Sequence, residues 1–151
     1  AVGVARLQTV SMPKIDTLMA HIQNDLFDLG SDIATPGHEG EEVRKALHIT
    51  PQQVAWLEQM IDLYNDGLAP LASFVLPGGT TLAAELHVAR TIVRRAERQV
   101  VALREVEPDT SADAMIYLNR LSDLLFVLAR VANGNGKSDV LWEPGRFGAG
   151  K

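Results

Sequence analysis

The chain has 151 residues, of which 46% are hydrophobic and 22% charged, and its formal net charge is −5. This composition is that of an ordinary folded protein, and the acidic balance disfavours general nucleic-acid binding, which uses a basic surface. The absence of cysteine excludes disulfides and thiolate metal sites and fits a reducing compartment.

The first residues already have a helix-like sequence. The stretch "AVGVARLQTV" opens without Met and without a capping residue, so we expect further residues upstream in the full protein. No signal peptide is visible in it. The most apolar run of the chain, "LSDLLFVLARVA", contains Asp123 and Arg130 and is too short to span a bilayer.

Two helices are predicted in the first half of the chain. In "KIDTLMAHIQNDLFDLGSDIA" an apolar residue recurs every three or four positions, which predicts a helix that ends before Pro36 and Gly37. The polar stretch "GHEGEEVRKALH" is predicted to be a connection with one helical turn. In "TPQQVAWLEQMIDLYNDGL", Thr50 and Gln53 form a capping box and Pro51 suits the first turn. The predicted buried face of this second helix consists of Val54, Leu57, Ile61, Tyr64 and Leu68.

Two further helices are predicted in the second half. "FVLPGGT" interrupts the helical pattern with Pro77 and a glycine pair, and "ELHVARTIVRRAER" then starts a new helix. The last long helix is predicted from about Ala112 to Ala132, and residues 133–151 form a glycine-rich tail. The apolar face of this helix consists of Leu118, Leu121, Leu125, Leu128 and Ala132.

These elements amount to four long helices preceded by the remnant of an earlier one. Most connections are short, which favours antiparallel neighbours. Neither an internal repeat nor a second domain is indicated by the sequence. We therefore predict one all-α domain over residues 1–151, an antiparallel up-down bundle of four to five helices.

Positive charge is concentrated on one helix of this acidic chain. On a helical wheel Arg90, Arg94 and Arg98 form a ridge, His87 lies one turn before them, and Arg95 points away. Such a ridge costs about 0.2–0.5 kcal/mol per pair, whereas a charge-assisted hydrogen bond to phosphate contributes about 1.5–3 kcal/mol. Three interpretations remain open: a solvated basic face, a polyphosphate site, or pairing with an acidic stripe. That stripe consists of Asp25, Asp28 and Asp32.

A second ridge of unusual residues lies on the last helix, and it consists of Asn119, Asp123, Phe126 and Arg130. Polar side chains among leucines are costly to bury unless they are hydrogen-bonded. Either Asp123 pairs with an arginine of the preceding helix, or Asn119 faces the same cavity as the arginines. His87 is interpreted as a structural or rim histidine.

Several common site signatures are missing from the sequence. A ferritin-like di-metal site needs Glu-x-x-His pairs, and none of the four histidines follows a glutamate by three positions. There is also no Walker A motif, no G-x-G-x-x-G motif and no evident Ser/His/Asp arrangement.

The motifs "FVLPGGT", "LHVARTIVRRAER" and "YLNRLSDLLFVLAR", in this order, resemble the PduO-type corrinoid adenosyltransferase family. "IQNDLFDLGSDIATP" and "LWEPG" are similar to the family as well, so the resemblance covers nearly the whole chain. It implies a ferritin-like five-helix bundle that assembles as a homotrimer with active sites between subunits. It also implies transfer of the 5′-deoxyadenosyl group of ATP to cob(I)alamin, with release of triphosphate.

The resemblance assigns a role in nucleotide binding to residues of both ridges. Arg90 and Arg94 would hold the ATP phosphates, and Arg90 would also be catalytic. Asn119 would hydrogen-bond the nucleotide. Three further residues of the arginine helix would line or brace the nucleotide site: Arg95, Glu97 and Arg98. Mg²⁺ is expected with ATP, but no ligand for it is identified.

Two phenylalanines are assigned to the corrinoid. Phe74 would lie beneath the corrin, keep the lower axial ligand off cobalt and so ease reduction to Co(I), which makes it catalytic. Phe126 would be part of the apolar cobalamin wall. The alternative for either residue is packing in the core.

The implied partners are the substrates ATP and cob(I)alamin, a cobalamin reductase and an adenosylcobalamin-dependent enzyme, with no nucleic acid and no membrane. The expected compartment is the cytoplasm, or the mitochondrial matrix in a eukaryote. The family's Gly/Thr-rich ATP-binding segment and the acidic start of its first helix, which holds the partner of Arg90, are absent from the chain. A cobalamin-binding or delivery module and a structural bundle therefore remain alternatives.

Overall fold

The computed structural model describes residues 1–35 and 47–145, and this part of the chain is all-α apart from one isolated antiparallel bridge. The helices are α1 (Val2–Arg6), α2 (Pro13–Ala34), α3 (Pro51–Asn65), α4 (Thr81–Val106) and α5 (Ala112–Ala132). The prediction of four long helices after a short one is confirmed. The predicted helical turn within residues 37–48 falls almost entirely outside the described residues.

Consecutive helices run in opposite directions. Along α4 and α5, Thr80 lies against Asn133 and Glu97 lies against Asn119, so the two helices are antiparallel. Between α1 and α2, Arg6 lies against Asp16 and Gly3 lies against Gln23, again in opposite order. Between α2 and α3, His21 lies against Trp56 and Asp25 lies against Gln53, so these helices are antiparallel as well. The predicted antiparallel up-down arrangement is confirmed.

Helix α5 is the central element of the bundle, since it packs against α4 and α3 and more lightly against α2. All five members of its predicted apolar face are buried, and its bounds are those expected from the sequence. Complete burial of a leucine side chain contributes about 1.5–3 kcal/mol. This face therefore contributes substantially to the hydrophobic stabilisation of the core.

Helix α3 begins at the predicted capping box but is less buried than predicted. The Thr50 side chain accepts from the Gln53 backbone N–H, and the Gln53 side chain accepts from the Thr50 backbone N–H. Leu57 is the one fully buried apolar residue of α3, while Val54, Ile61 and Tyr64 are half-buried. Leu68 follows the helix, which ends at Asn65.

The predicted acidic stripe of α2 does not pair with the arginine ridge. Asp25 is buried and accepts hydrogen bonds from the Tyr117 hydroxyl and the Gln53 side-chain amide, each at 2.9 Å. Asp32 is also buried, and it accepts from the Ile49 N–H at 3.0 Å. Both carboxylates face the interior because the 3-4 apolar stripe of α2 is wide enough to include them, so this interpretation of the stripe is wrong.

Candidate functional site

A cavity of about 580 Å³ lies where the segment between α3 and α4 meets α5 and the chain beyond it. Its wall combines an apolar surface with a single charged group. Within the described part of the chain, the lining residues are Leu71, Ala72, Ser73, Phe74, Val75, Arg90, Phe126, Trp142 and Pro144. Three of the residues assigned from the sequence, Phe74, Arg90 and Phe126, are therefore brought to one cavity.

The position of Phe74 is set by pairing between two loop segments. Val75 and Leu141 form an antiparallel bridge, in which the Leu76 N–H donates to the Val140 carbonyl at 2.7 Å. The Trp142 N–H donates to the Phe74 carbonyl at 2.8 Å. This pairing places the two rings edge to face with their centroids 5.8 Å apart. Phe74 remains 76% exposed, so packing in the core does not explain it.

Arg90 carries the positive charge of this cavity. It is half-buried, and its guanidinium carbon lies 5.2 Å from the centroid of the Phe126 ring, in cation–π geometry. Its Nε atom is buried and has no hydrogen-bond partner among the residues that the structure describes. A buried donor without a partner is costly, and such groups are common where a ligand completes the site.

Arg94, one turn further along α4, belongs to a different polar cluster. Its Nη1 donates to a Glu97 carboxylate oxygen at 2.5 Å, and the second oxygen accepts from the Asn119 side-chain N–H at 2.8 Å. The Asn119 side-chain oxygen accepts in turn from the Arg120 guanidinium at 2.6 Å. Glu97, Asn119 and Arg120 line a second cavity of about 300 Å³. Asn119 therefore faces a different cavity from Arg90, while Glu97 connects it to Arg94.

Arg95 and Arg98 are exposed and line neither of these cavities. No hydrogen bond or ion pair involves either guanidinium within residues 1–35 and 47–145. Within this single chain, both charges face solvent.

Asp123 does not pair with an arginine of α4, so that interpretation is wrong. Its carboxylate lies 3.0 Å from the Arg120 guanidinium, three residues earlier on α5. The local i,i+3 spacing brings these two side chains together on the helix surface without any contribution from α4.

A buried polar cluster behind the cavity was not foreseen from the sequence. Asn133, fully buried at the end of α5, accepts from the Thr80 N–H and donates to the Gly78 carbonyl and the Asp139 carboxylate. Gly79 has φ 102°, and a Cβ there would lie 2.1 Å from the Asn133 side-chain oxygen. The glycine pair of "FVLPGGT" thus permits close approach of the loop to α5.

Arg130 and Asp139 complete this cluster as a buried ion pair. The Arg130 Nε donates to Asp139 at 2.8 Å, and its Nη2 donates to the Ala69 carbonyl at 2.9 Å. Their side chains are 7% and 2% exposed. The pair therefore fastens both loop segments that carry Phe74 and Trp142 to the end of α5.

Trp142 is an aromatic lining residue for which the sequence predicts no role. It occurs in the motif "LWEPG" and is one of two tryptophans in the chain. This rarity, within a family motif, is a signal that could have identified it. Its contact with Phe74 depends on a pairing between residues far apart in the chain, which sequence spacing does not reveal.

The described residues show neither a metal-binding cluster nor a membrane-spanning helix. No group of three or more His, Cys, Asp or Glu side chains is arranged there to hold a metal ion. None of the helices within these ranges combines the length and apolar character that a membrane span needs.

Comparison with known proteins identifies the family. A family model described as cobalamin adenosyltransferase matches residues 1–132. The corrinoid adenosyltransferase of Mycobacterium tuberculosis (strain H37Rv) is 49% identical over 146 residues, which cover 96% of this chain and 74% of that protein. The Bacillus subtilis corrinoid adenosyltransferase is 42% identical, covering 94% and 72%.

A solved structure of a PduO-type corrinoid adenosyltransferase is similar to this chain in fold. It is a variant of the PduO-type ATP:corrinoid adenosyltransferase from Lactobacillus reuteri, complexed with cobalamin and ATP. It superposes with a TM-score of 0.83 at 39% identity, covering 94% of this chain and 78% of that one. On the strength of the sequence matches and the shared fold, the chain belongs to the cobalamin adenosyltransferase family.

Proposed function

We propose that this protein transfers the 5′-deoxyadenosyl group of ATP to the cobalt of cob(I)alamin, giving adenosylcobalamin and triphosphate. The observation that supports this most directly is the 580 Å³ cavity, where one partly buried arginine lies against an aromatic wall. An apolar wall suits the face of a corrin, and an arginine with an unpartnered donor suits a phosphate oxygen.

In this reaction a Co–C bond forms while the bond from the ATP 5′ carbon to its phosphate oxygen breaks. The electron pair of that bond leaves with the triphosphate. Because the substrate cobalt is the nucleophile, the protein contributes binding, orientation and charge stabilisation. Positive charge close to the leaving oxygens stabilises the transition state, since negative charge accumulates there.

We assign the phosphates to Arg90 and Arg94. The orphaned Arg90 Nε and the partly exposed Arg94 guanidinium both offer donors in the fork geometry that matches phosphate oxygens. Glu97 holds Arg94 and Asn119 at once, so it orders two nucleotide-binding groups with one carboxylate. The exposed Arg95 and Arg98 would contribute charge around the nucleotide, in keeping with the role given to them from the resemblance.

We assign the corrin to the aromatic wall, with Phe74 beneath cobalt and Phe126 beside it. The exposure of Phe74 and its support by Trp142 favour this role over core packing. A ring in that position would occupy the space of the lower axial ligand. Removal of that ligand eases reduction of cobalt to Co(I).

Mg²⁺ would accompany ATP. The described residues contain no acidic cluster that could form a protein cage for it. Mg²⁺ is commonly bound through substrate phosphates with one or two carboxylates. We therefore expect its ligands to be chiefly phosphate oxygens, and none of the roles above depends on it.

We also propose that the protein forms a homotrimer with active sites between subunits. Val88 and Ile92 on α4 are 50% and 41% exposed, and such side chains are suited to a subunit interface. A sedimentation mass about three times the 16.4 kDa of one chain would support this state. The proposed setting is the cytoplasm, or the mitochondrial matrix in a eukaryote, with a cobalamin reductase upstream and an adenosylcobalamin-dependent enzyme downstream.

The test is incubation of the full-length protein with ATP, Mg²⁺ and chemically reduced cobalamin. We expect spectral conversion to adenosylcobalamin with equimolar triphosphate. The Arg90→Ala variant should lose about 10- to 100-fold in kcat/KM for ATP, because one charge-assisted hydrogen bond is lost. As a matched control, Lys14→Ala removes one exposed positive charge from α2 and should leave the rate unchanged.

The alternatives give different results. Absence of conversion by the full-length protein, with a melting temperature raised by cobalamin, would indicate a binding or delivery module. If neither ATP nor cobalamin raises the melting temperature, a purely structural bundle would be indicated.

A further inference from the structure

His87 is a buried histidine whose surroundings are not explained by core packing alone. It lies on α4, is 4% exposed, and its Nε2 atom has no hydrogen-bond partner among the described residues. Its ring is 6.2 Å from the Phe126 ring, at an interplanar angle of 63°. Buried polar atoms are almost always hydrogen-bonded, so an orphaned ring nitrogen next to a proposed substrate wall calls for an explanation.

Phe126 connects this histidine to the cavity. The same ring that contacts His87 carries the Arg90 guanidinium 5.2 Å from its centroid. His87 and Arg90 are three positions apart on α4, so they project from neighbouring turns toward one side chain of α5. The Phe126 ring therefore contacts both side chains, the Arg90 guanidinium and the His87 imidazole.

We propose that His87 is a positioning residue for adenosyl transfer, because its imidazole holds the Phe126 ring against which the Arg90 guanidinium is placed. The inference rests on the proposed function, in which Arg90 binds the triphosphate. His87 itself does not line the cavity, so it acts on Arg90 without touching substrate.

The positioning role requires an uncharged imidazole. Protonation would place an N–H donor at the buried Nε2 atom, which has no acceptor, and a positive charge beside Arg90. The two cations would repel each other across Phe126, and Arg90 is the one with room to move into the cavity.

Burial and two neighbouring charges act on the pKa of His87. Burial lowers its pKa most, Arg90 on the same helix lowers it further, and Asp139 beyond α5 raises it. Asp139 is already paired with Arg130 of α5, and residues 67–80 contain no ionisable side chain. Since the pKa in the folded protein is below the unfolded value of 6.5, the stability that the neutral imidazole contributes is complete above about pH 6.5. It is lost as the pH falls through the folded pKa.

Two variants separate the ring from its charge. His87→Phe keeps an aromatic ring against Phe126 but cannot be protonated, whereas His87→Gln removes the ring. At pH 7.5 we expect His87→Gln to raise the KM for ATP about 2- to 10-fold, the effect of losing one aromatic contact. His87→Phe should stay closer to the wild type at that pH.

The pH profile is the readout that a purely structural role would not change. The KM for ATP of the wild type should rise as the pH falls through the lowered pKa of His87, and His87→Phe should lack the part of this rise that comes from His87. Ionisation of ATP affects all variants equally, so the difference between profiles reports on the protein. His21→Gln is the matched control, because His21 is stacked on Trp56 at 4.2 Å, outside both cavities.

A double-mutant cycle tests the route through Arg90. If His87 acts through that guanidinium, His87→Gln should cause no further loss of ATP affinity in an Arg90→Ala background. Additive losses would overturn the inference, and so would a wild-type KM and pH profile in both single variants. These results leave the proposed function intact. Failure of the wild type itself to form adenosylcobalamin would overturn both, and it is visible without any variant.

Discussion

Arg90 and Arg94 are one turn apart, yet their guanidinium groups are in different electrostatic states. Arg90 contacts an aromatic face and has an orphaned donor, whereas Arg94 is already paired with Glu97. A phosphate that binds Arg94 must therefore share this guanidinium with a carboxylate. The five donors of an arginine allow such sharing, and the carboxylate restricts the side chain to one orientation.

Replacement of Arg94 tests its assignment. Arg94→Ala should weaken ATP binding about tenfold, measured by calorimetry, because one charge-assisted hydrogen bond to phosphate is lost from a half-exposed position. The oligomeric mass should not change. Glu97→Gln keeps the size of the side chain and should weaken ATP binding less than Arg94→Ala does. Normal ATP affinity in Arg94→Ala would show that the phosphate role is wrong.

Phe74 can be tested with two corrinoids. Phe74→Ala should slow adenosyl transfer to cobalamin, whose lower ligand must be displaced, and should matter little for a corrinoid without that ligand. The Phe74 ring is 76% exposed, so its removal should cost little stability. A slower rate would therefore report on a lost contact with the corrinoid. The measurement is kcat with each corrinoid. Equal losses with both would remove this account of Phe74.

At the scale of elements, one buried ion pair fastens the loops that carry the aromatic wall. Arg130 at the end of α5 connects Asp139 on one side to the Ala69 carbonyl on the other. Asn133 adds bonds to the loop before α4. Neither loop has a hydrophobic core of its own, so these polar contacts supply the geometry that places Phe74 near Trp142.

Breaking this pair should be costly. Asp139→Ala leaves a buried guanidinium without its counter-charge and should lower the free energy of unfolding by about 3–5 kcal/mol in urea denaturation. The double variant Arg130→Met/Asp139→Leu should recover most of that loss, because it removes both buried charges. A loss below about 1 kcal/mol in Asp139→Ala, the range of surface ion pairs, would contradict the buried role.

At the scale of the whole molecule, Asp25 joins three helices. It lies on α2 and accepts from Tyr117 on α5 and from Gln53 on α3. Burial, together with the Asp25 carboxylate, raises the pKa of the Tyr117 phenol far above its ordinary value of 10.0. The buried hydroxyl therefore stays protonated under conditions in which an exposed tyrosine ionises.

This linkage predicts an alkaline limit to stability. A group whose pKa is raised in the folded state contributes stability that is complete below its unfolded pKa, here about 10, and is lost as the pH rises further. We expect the melting temperature to fall above pH 10, and to fall less steeply in Tyr117→Phe. That variant should be less stable at neutral pH by about 1.5–3 kcal/mol, because a hydrogen bond to a carboxylate is lost. Parallel pH profiles for both proteins would contradict this role of Tyr117.

The bundle was predictable in detail where local sequence carries the information. The limits of α5, its buried face and the capping box of α3 all depend on residues within a few positions of one another. The burial of α3 was overestimated, because an apolar stripe shows that a face is suited to burial but does not show how much of it a neighbour covers. The pairing of Asp123 was misassigned for a related reason: a side chain on a helix surface can be satisfied within its own helix.

The sequence alone was sufficient for the fold class, the limits of α5 and the family, since periodicity and motifs are properties of consecutive residues. Tertiary contacts were needed to distinguish a buried His87 and a cavity-facing Arg90 from Arg94, whose local partner Glu97 is held by Asn119 of α5. The helical wheel treats these three positions as equivalent. They differ because loop segments distant in the chain cover one end of α4 and leave the other exposed, and burial then determines which charges are free to meet a substrate.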